Sequence, residues 1–192
     1  MYRPIRIAGR ILGLCLLVVS PIFALAQAPA PAKPAVGTVM APAQVYGKLL
    51  DLLEKEFVSA AEAMPEDKYD FVPATPMGDF KGVRSFGGQV AHVAESNWYF
   101  FHDPAKPMVD NRADFEKLKT KAEILKALKE SLVQAHAYVN AITPENAYVM
   151  TANGTRAGMA SFGMAHMMDH YGQMVEYLRM NGIVPPASRG GM

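Results

Sequence analysis

Apolar residues recur at spacings of three and four in four stretches of the chain, and no segment alternates convincingly as a strand. The first stretch runs from about Ala43 to Met64, with Tyr46, Leu49, Leu53, Phe57, Ala60 and Met64 on one stripe. The third is the cleanest. Thr120-Lys121-Ala122-Glu123 reads as a capping box, whose two polar side chains take free N–H groups at a helix start. Behind it Leu125, Leu128, Leu132, Ala135, Val139 and Ile142 share a face, and Pro144 closes the run. These two helices predict ordinary bundle core.

The second and fourth stretches differ from them. The second has Ser85 as its N-cap and runs to Asp103-Pro104. The fourth starts near Ser161 and stops at Gly182, a left-handed C-cap, with Pro185-Pro186 beyond. Both open with Ser-Phe-Gly, and both place a histidine in the first two turns. The connections at 65–84, 104–119 and 143–160 exceed what a tight helical hairpin needs, so they permit crossovers and can rim a pocket. The fold class expected is all-α, a four-helix bundle with long interhelical loops.

The N-terminal segment follows different rules. Arg3, Arg6 and Arg10 precede the charge-free run Ile11–Ser20; Pro21 then breaks it, and Ala24-Leu25-Ala26 offers a cleavage site. Residues 1–26 therefore read as a signal peptide, with an uncleaved anchor as the competing reading, and the protein is expected in the periplasm or secreted. Leu14 stands before Cys15 where a lipoprotein signal wants a small residue, so lipidation is not expected. Residues 27–42, with four Pro and five Ala, read as an extended linker. The domain is expected over 43–186, with a flexible tail at 187–192. No stable membrane insertion is expected once the leader is removed.

Composition narrows the chemistry. A hydrophobic share of 51% over 192 residues is too high for a disordered chain, and a net charge of +1 supplies no basic face for nucleic acid. Removing residues 1–26 takes away three arginines and no acid, so the charge becomes −2. The single Cys leaves with the leader. A mature chain without Cys has no disulfide, no thiolate nucleophile and no Cys-type zinc site.

The five histidines are 92, 102, 136, 166 and 170. His166 and His170 leave one helical face a turn apart, where two imidazoles can share a metal ion at about 2.0–2.1 Å from each nitrogen. Spacing alone equally allows two histidines hydrogen-bonded at the edge of a core. His92 lies early on another helix, on a stripe with Glu95 and Tyr99. Two ligands from one helix and one from another would give a three-His site with open positions. His102 sits at a helix end and reads as cap-like, whereas His136 beside Leu132 and Val139 reads as structural.

Ser85-Phe-Gly-Gly-Gln-Val-Ala-His92 on one helix resembles the DinB superfamily, including its YfiT-like members, as does His166-x-x-x-His170-x-Gly172-Gln173 followed by Tyr177-Leu178-Arg179-x-x-Gly182. The resemblance spans roughly Ala43 to Pro186. It implies an up-down-down-up four-helix bundle holding a divalent metal (Zn, Ni, Fe or Mn) on His92, His166 and His170, often as a homodimer. Characterised members include low-molecular-weight thiol transferases and metal-dependent hydrolases or isomerases. The expected leader departs from the cytoplasmic members, whose thiol pool is not expected outside the membrane.

Three neutral imidazoles leave a metal its full charge, so water on it becomes acidic enough to attack at neutral pH. Glu95 is the nearest candidate to move protons, and it equally suits orienting a ligand or serving as a fourth one. Tyr99 and Asp169 are weaker candidates, and Gln173 suits either a hydrogen bond near the metal or packing. The reading is an exported DinB-like protein that binds a divalent metal and hydrolyses a small substrate. The alternatives are a DinB-like transferase, a non-catalytic metal binder and a partner-binding module. Met167-Met168 between the ligand histidines would suit copper(I) in a carrier, or simply fill core gaps. Tyr69, Phe71 and Phe80 would be the contact points of a partner-binding module, or pack over the bundle.

Overall fold

The computed structural model describes residues 33–74, 78–108 and 110–190. The expected leader at 1–26 and the first part of the linker lie outside the described residues. Residues from Val39 onward form one compact unit. Its elements are α1 (Pro42–Ala63), α2 (Phe86–Phe100), α3 (Arg112–Phe115), α4 (Lys121–Asn140), a two-stranded hairpin of β1 (Met150–Thr151) and β2 (Gly154–Thr155), and α5 (Arg156–Met180). Among the described residues, no helix is long and apolar enough to cross a membrane.

The helix ends follow local chemistry. Pro42 occupies the first turn of α1, and the Gln44 side chain reaches back to the Ala41 N–H. Ser85 accepts from Gly88 N–H at the start of α2. Thr120 and Glu123 close the capping box of α4 as expected, with Thr120 N–H donating to Glu123 at 2.9 Å. α5 begins at Arg156, five residues before Ser161. The Thr155 side chain caps it through Gly158 N–H, and Ala157 N–H donates to Ala147 O, tying the first turn to the preceding loop. The hairpin β1–β2 turns through Ala152-Asn153 with Gly154 at φ 123°. Strands of two residues are too short for an alternating pattern to register.

Contacts along the helices fix their directions. Glu62 of α1 pairs with Lys129 of α4, and Glu54 with His136, so α1 and α4 run antiparallel. Asn97 of α2 donates to Ser131 of α4, and Gln134 to Phe101 O, so those two run parallel. Gln89 meets Gln173 of α5 while Phe100 meets Phe162, so α2 and α5 run antiparallel. The four long helices thus go up, down, down, up. α1 and α2 each pack on both α4 and α5 and sit diagonally to one another.

The core is contiguous. Leu53, Phe57, Ala60 and Met64 are buried as expected, but Leu50 takes the place assigned to Leu49, which faces outward at 44% exposure. On α4, Leu128, Leu132, Ala135 and Val139 are buried, with Ile142 just beyond. Each fully buried Leu, Ile, Val, Phe or Met side chain among these contributes roughly 1.5–3 kcal/mol by leaving water. Two of the three loop aromatics, Tyr69 and Phe71, pack onto the bundle. Tyr69 is buried and donates to Ala61 O at 2.7 Å, and Phe71 packs edge-on against Tyr177. Pro186–Ser188 forms a 3-10 turn against α1, and Arg179 reaches Ser188.

Glycine sets the spacing of α2 and α5. A Cβ on Gly163 would lie 2.8 Å from both Phe100 Cβ and the Phe101 ring. Only the missing side chain lets the two helices approach this closely, one turn from His166.

Candidate metal centre

α2 supplies His92, and α5 supplies His166 and His170. Each of the three offers a nitrogen within 4.8 Å of the others. Ring centroids are 5.1 Å apart for His92–His166, 4.9 Å for His92–His170 and 4.6 Å for His166–His170. The structure therefore brings together all three residues selected from the sequence. His102 and His136 lie elsewhere. His102 Nε2 meets Lys106 O at 2.8 Å in the turn after α2, and His136 bridges α4 to Glu54 of α1.

His92 Nε2 and His166 Nε2 face one another at 3.3 Å. Two ligands at about 2.05 Å in a tetrahedral arrangement lie about 3.3 Å apart, so the spacing is the edge a zinc-like ion requires. His166 Nδ1 is buried without a hydrogen-bond partner, so this imidazole touches no polar group but its fellow histidine. That donor set and spacing fit a divalent ion.

His170 is oriented by a chain of amides. Asp169 can only accept, and it receives Gln173 Nε2 at 3.5 Å through its carboxylate. Gln173 Oε1 then accepts Gln89 Nε2 at 2.9 Å, which turns Gln89 Oε1 toward His170 Nδ1. His170 must donate there, so its Nε2 carries the free lone pair. Gln89 is 2% exposed, so water does not compete for this contact. Sequence reasoning gave Gln89 no role. Its signal was a position three residues before His92, on the face that meets α5.

Electrostatics keep the imidazoles neutral. Burial, followed by the neighbouring His166 and His92, lowers the His170 pKa to about 4. Burial also lowers His166, helped by His92, and lowers His92, helped by Arg84. Neutral imidazole is the form that ligates metal.

Glu95 stands beside His92, but on the side of Nδ1, at 3.7 Å. It faces away from the nitrogen that meets His166, a place for orienting His92 or exchanging protons with bulk water rather than for a fourth ligand. Its other oxygen pairs with Arg112 at 3.6 Å. Tyr99 is 51% exposed and stacks edge-on against Phe100, and exposed Asp169 contacts only Gln173 within this chain of bonds. Met164, Met167 and Met174 are buried in the apolar core, where thioethers fill space.

A cleft of about 560 Å³ opens beside α2, with His92, Glu95, Arg84 and Arg112 among its walls. Phe115 and Leu118, from the crossover between α2 and α4, supply its apolar side.

The family model of the DinB superfamily matches residues 49–174, a span that contains all three imidazoles and Gln89. No curated protein matches the sequence at a significant level.

Proposed function

The chain belongs to the DinB superfamily, and from that membership and the imidazole geometry we propose that it binds one divalent metal ion and hydrolyses a small substrate outside the cytoplasm. The observation that carries the metal assignment is the His92–His166 nitrogen pair at 3.3 Å, with His170 Nε2 turned inward by Gln89. His92, His166 and His170 would hold the ion. Such an ion supplies Lewis acidity, which makes water nucleophilic at neutral pH and polarises a carbonyl or phosphoryl oxygen.

The chain's own residues do the rest. Gln89 fixes the His170 tautomer, and burial between α2 and α5 keeps the three rings uncharged. Glu95 braces His92 and, at the cleft, is placed to take a proton and pass it to solvent. The leader-like sequence at 1–26 supports export.

Metal analysis of tag-free protein tests the first step, with about one ion per chain expected. The His166→Ala/His170→Ala double variant should lose it, and retained stoichiometric metal there would sink the assignment. Ester, amide or phosphoester turnover that is lost in Glu95→Gln while metal stays bound would support the hydrolase. Full metal loading without turnover of any such substrate would leave a metal binder and remove the enzyme.

A further inference from the structure

We propose that Arg84 is the residue that recognises substrate, and that the substrate is a small anion, a carboxylate or similar oxyanion with an apolar body. This rests on the reading of the three imidazoles as the reacting centre. Arg84 lines the same cleft as His92 and Glu95. Its basic neighbours on the rim each have a contact of their own. Arg112 is held by Glu95 and Asp110, and Lys119 donates to Glu116 O. Among the described residues, no carboxylate lies within 4 Å of the Arg84 guanidinium, although Asp70 and Glu116 stand elsewhere on the rim.

The local structure fixes the backbone of this exposed arginine at the start of α2. Tyr177 donates to Arg84 O at 3.1 Å, anchoring its backbone to α5. Gly88, one turn into α2, leaves space along the stem, since a Cβ there would meet Arg84 Cβ at 3.4 Å. Arg84 and His92 share the wall of one cleft, so a ligand held by the guanidinium lies on the side where the imidazole cluster opens.

A guanidinium presents a planar fork that matches a carboxylate in two parallel hydrogen bonds. Opposite it, Phe115 and Leu118 offer an apolar wall, both half-buried. A molecule with a carboxylate on Arg84 and a short hydrocarbon or aromatic body on that wall would place an adjoining bond over the His92 edge of the centre. A cationic substrate would meet Arg84 as a like charge and be rejected.

Titration calorimetry with phenylacetate and with its neutral isostere phenylacetamide tests this, on both zinc-loaded and metal-free protein. Wild type should bind the carboxylate about tenfold more tightly than the amide, the discrimination expected of one charge-assisted pair. Arg84→Gln should erase that preference, and Arg84→Lys should restore part of it. Circular dichroism checks that each variant is folded. Anion preference that survives in folded Arg84→Gln overturns the proposal, as does a wild type with no preference in either form. Zinc uptake, measured by dialysis on the same samples, is a separate readout. Its absence would remove the metal reading, while the metal-free titrations still decide the role of Arg84.

Discussion

Acid should destabilise the metal-free protein through His170, by an amount that its surroundings set. The ring is 6% exposed, donates from Nδ1 to buried Gln89 and lies against two other imidazoles. These hold its pKa at about 4, against 6.5 in an unfolded chain. Above pH 6.5 the group is neutral in both states and has no effect on the folding equilibrium. Between 6.5 and 4 the unfolded chain takes up a proton that the folded one refuses, so stability falls with falling pH. Below 4 both states are protonated and the loss stops growing. One pH unit corresponds to about 1.4 kcal/mol for one proton, so this window gives about 3 kcal/mol. Urea unfolding of chelator-treated wild type and His170→Gln, followed by circular dichroism at pH 7, 5.5 and 4, measures it. The stability of wild type relative to the variant should drop by about 3 kcal/mol from pH 7 to pH 4. A difference that stays constant across that range would refute the burial argument.

Gln89→Leu removes the acceptor of the His170 N–H, and zinc affinity should fall about 10- to 100-fold in a competition assay with a chromophoric chelator. Zinc should raise the urea midpoint at pH 7, and that gain should fade as pH approaches 4, where folded His170 itself takes up a proton and the ligand nitrogen is lost. Gly163→Ala forces a methyl against Phe100 and Phe101 and should cost about 1–3 kcal/mol of stability, with zinc binding weakened because α2 and α5 are pushed apart. Thr120→Ala deletes half of the α4 capping box and should cost about 1 kcal/mol while leaving zinc affinity unchanged, since the box is remote from the imidazoles.

The sequence carries the bundle where its signals are local. The Thr120–Glu123 box and the α4 stripe from Leu128 onward read directly, whereas Leu125 is half-buried and its neighbour Ile124 enters the core instead. The α5 start was placed late because its cap, Thr155, sits inside a glycine-containing hairpin whose strands are too short to show a period. On α1 the stripe slipped by one residue, Leu49 for Leu50, since both neighbours are apolar and only the partner helices decide which is covered. The three imidazoles were legible from spacing on two similar helices, and the family resemblance selected the same residues. Gln89 was not, because nothing along the chain says which group will meet a nitrogen 81 positions away.

Helix order has a consequence for when the centre can exist. His92 lies on the second long helix, while both remaining imidazoles and the amide partner Gln173 lie on the last. A chain made or threaded N-terminus first has one of the three clustered imidazoles until α5 arrives, and the face of α2 that meets α5 is then uncovered. On the proposed reading of the cluster, metal capture would be a late event in the life of each molecule. A fragment that stops short of residue 166 holds one of the three clustered imidazoles, with His102 and His136 placed elsewhere. A bound ion would then mark a chain that has completed its last helix.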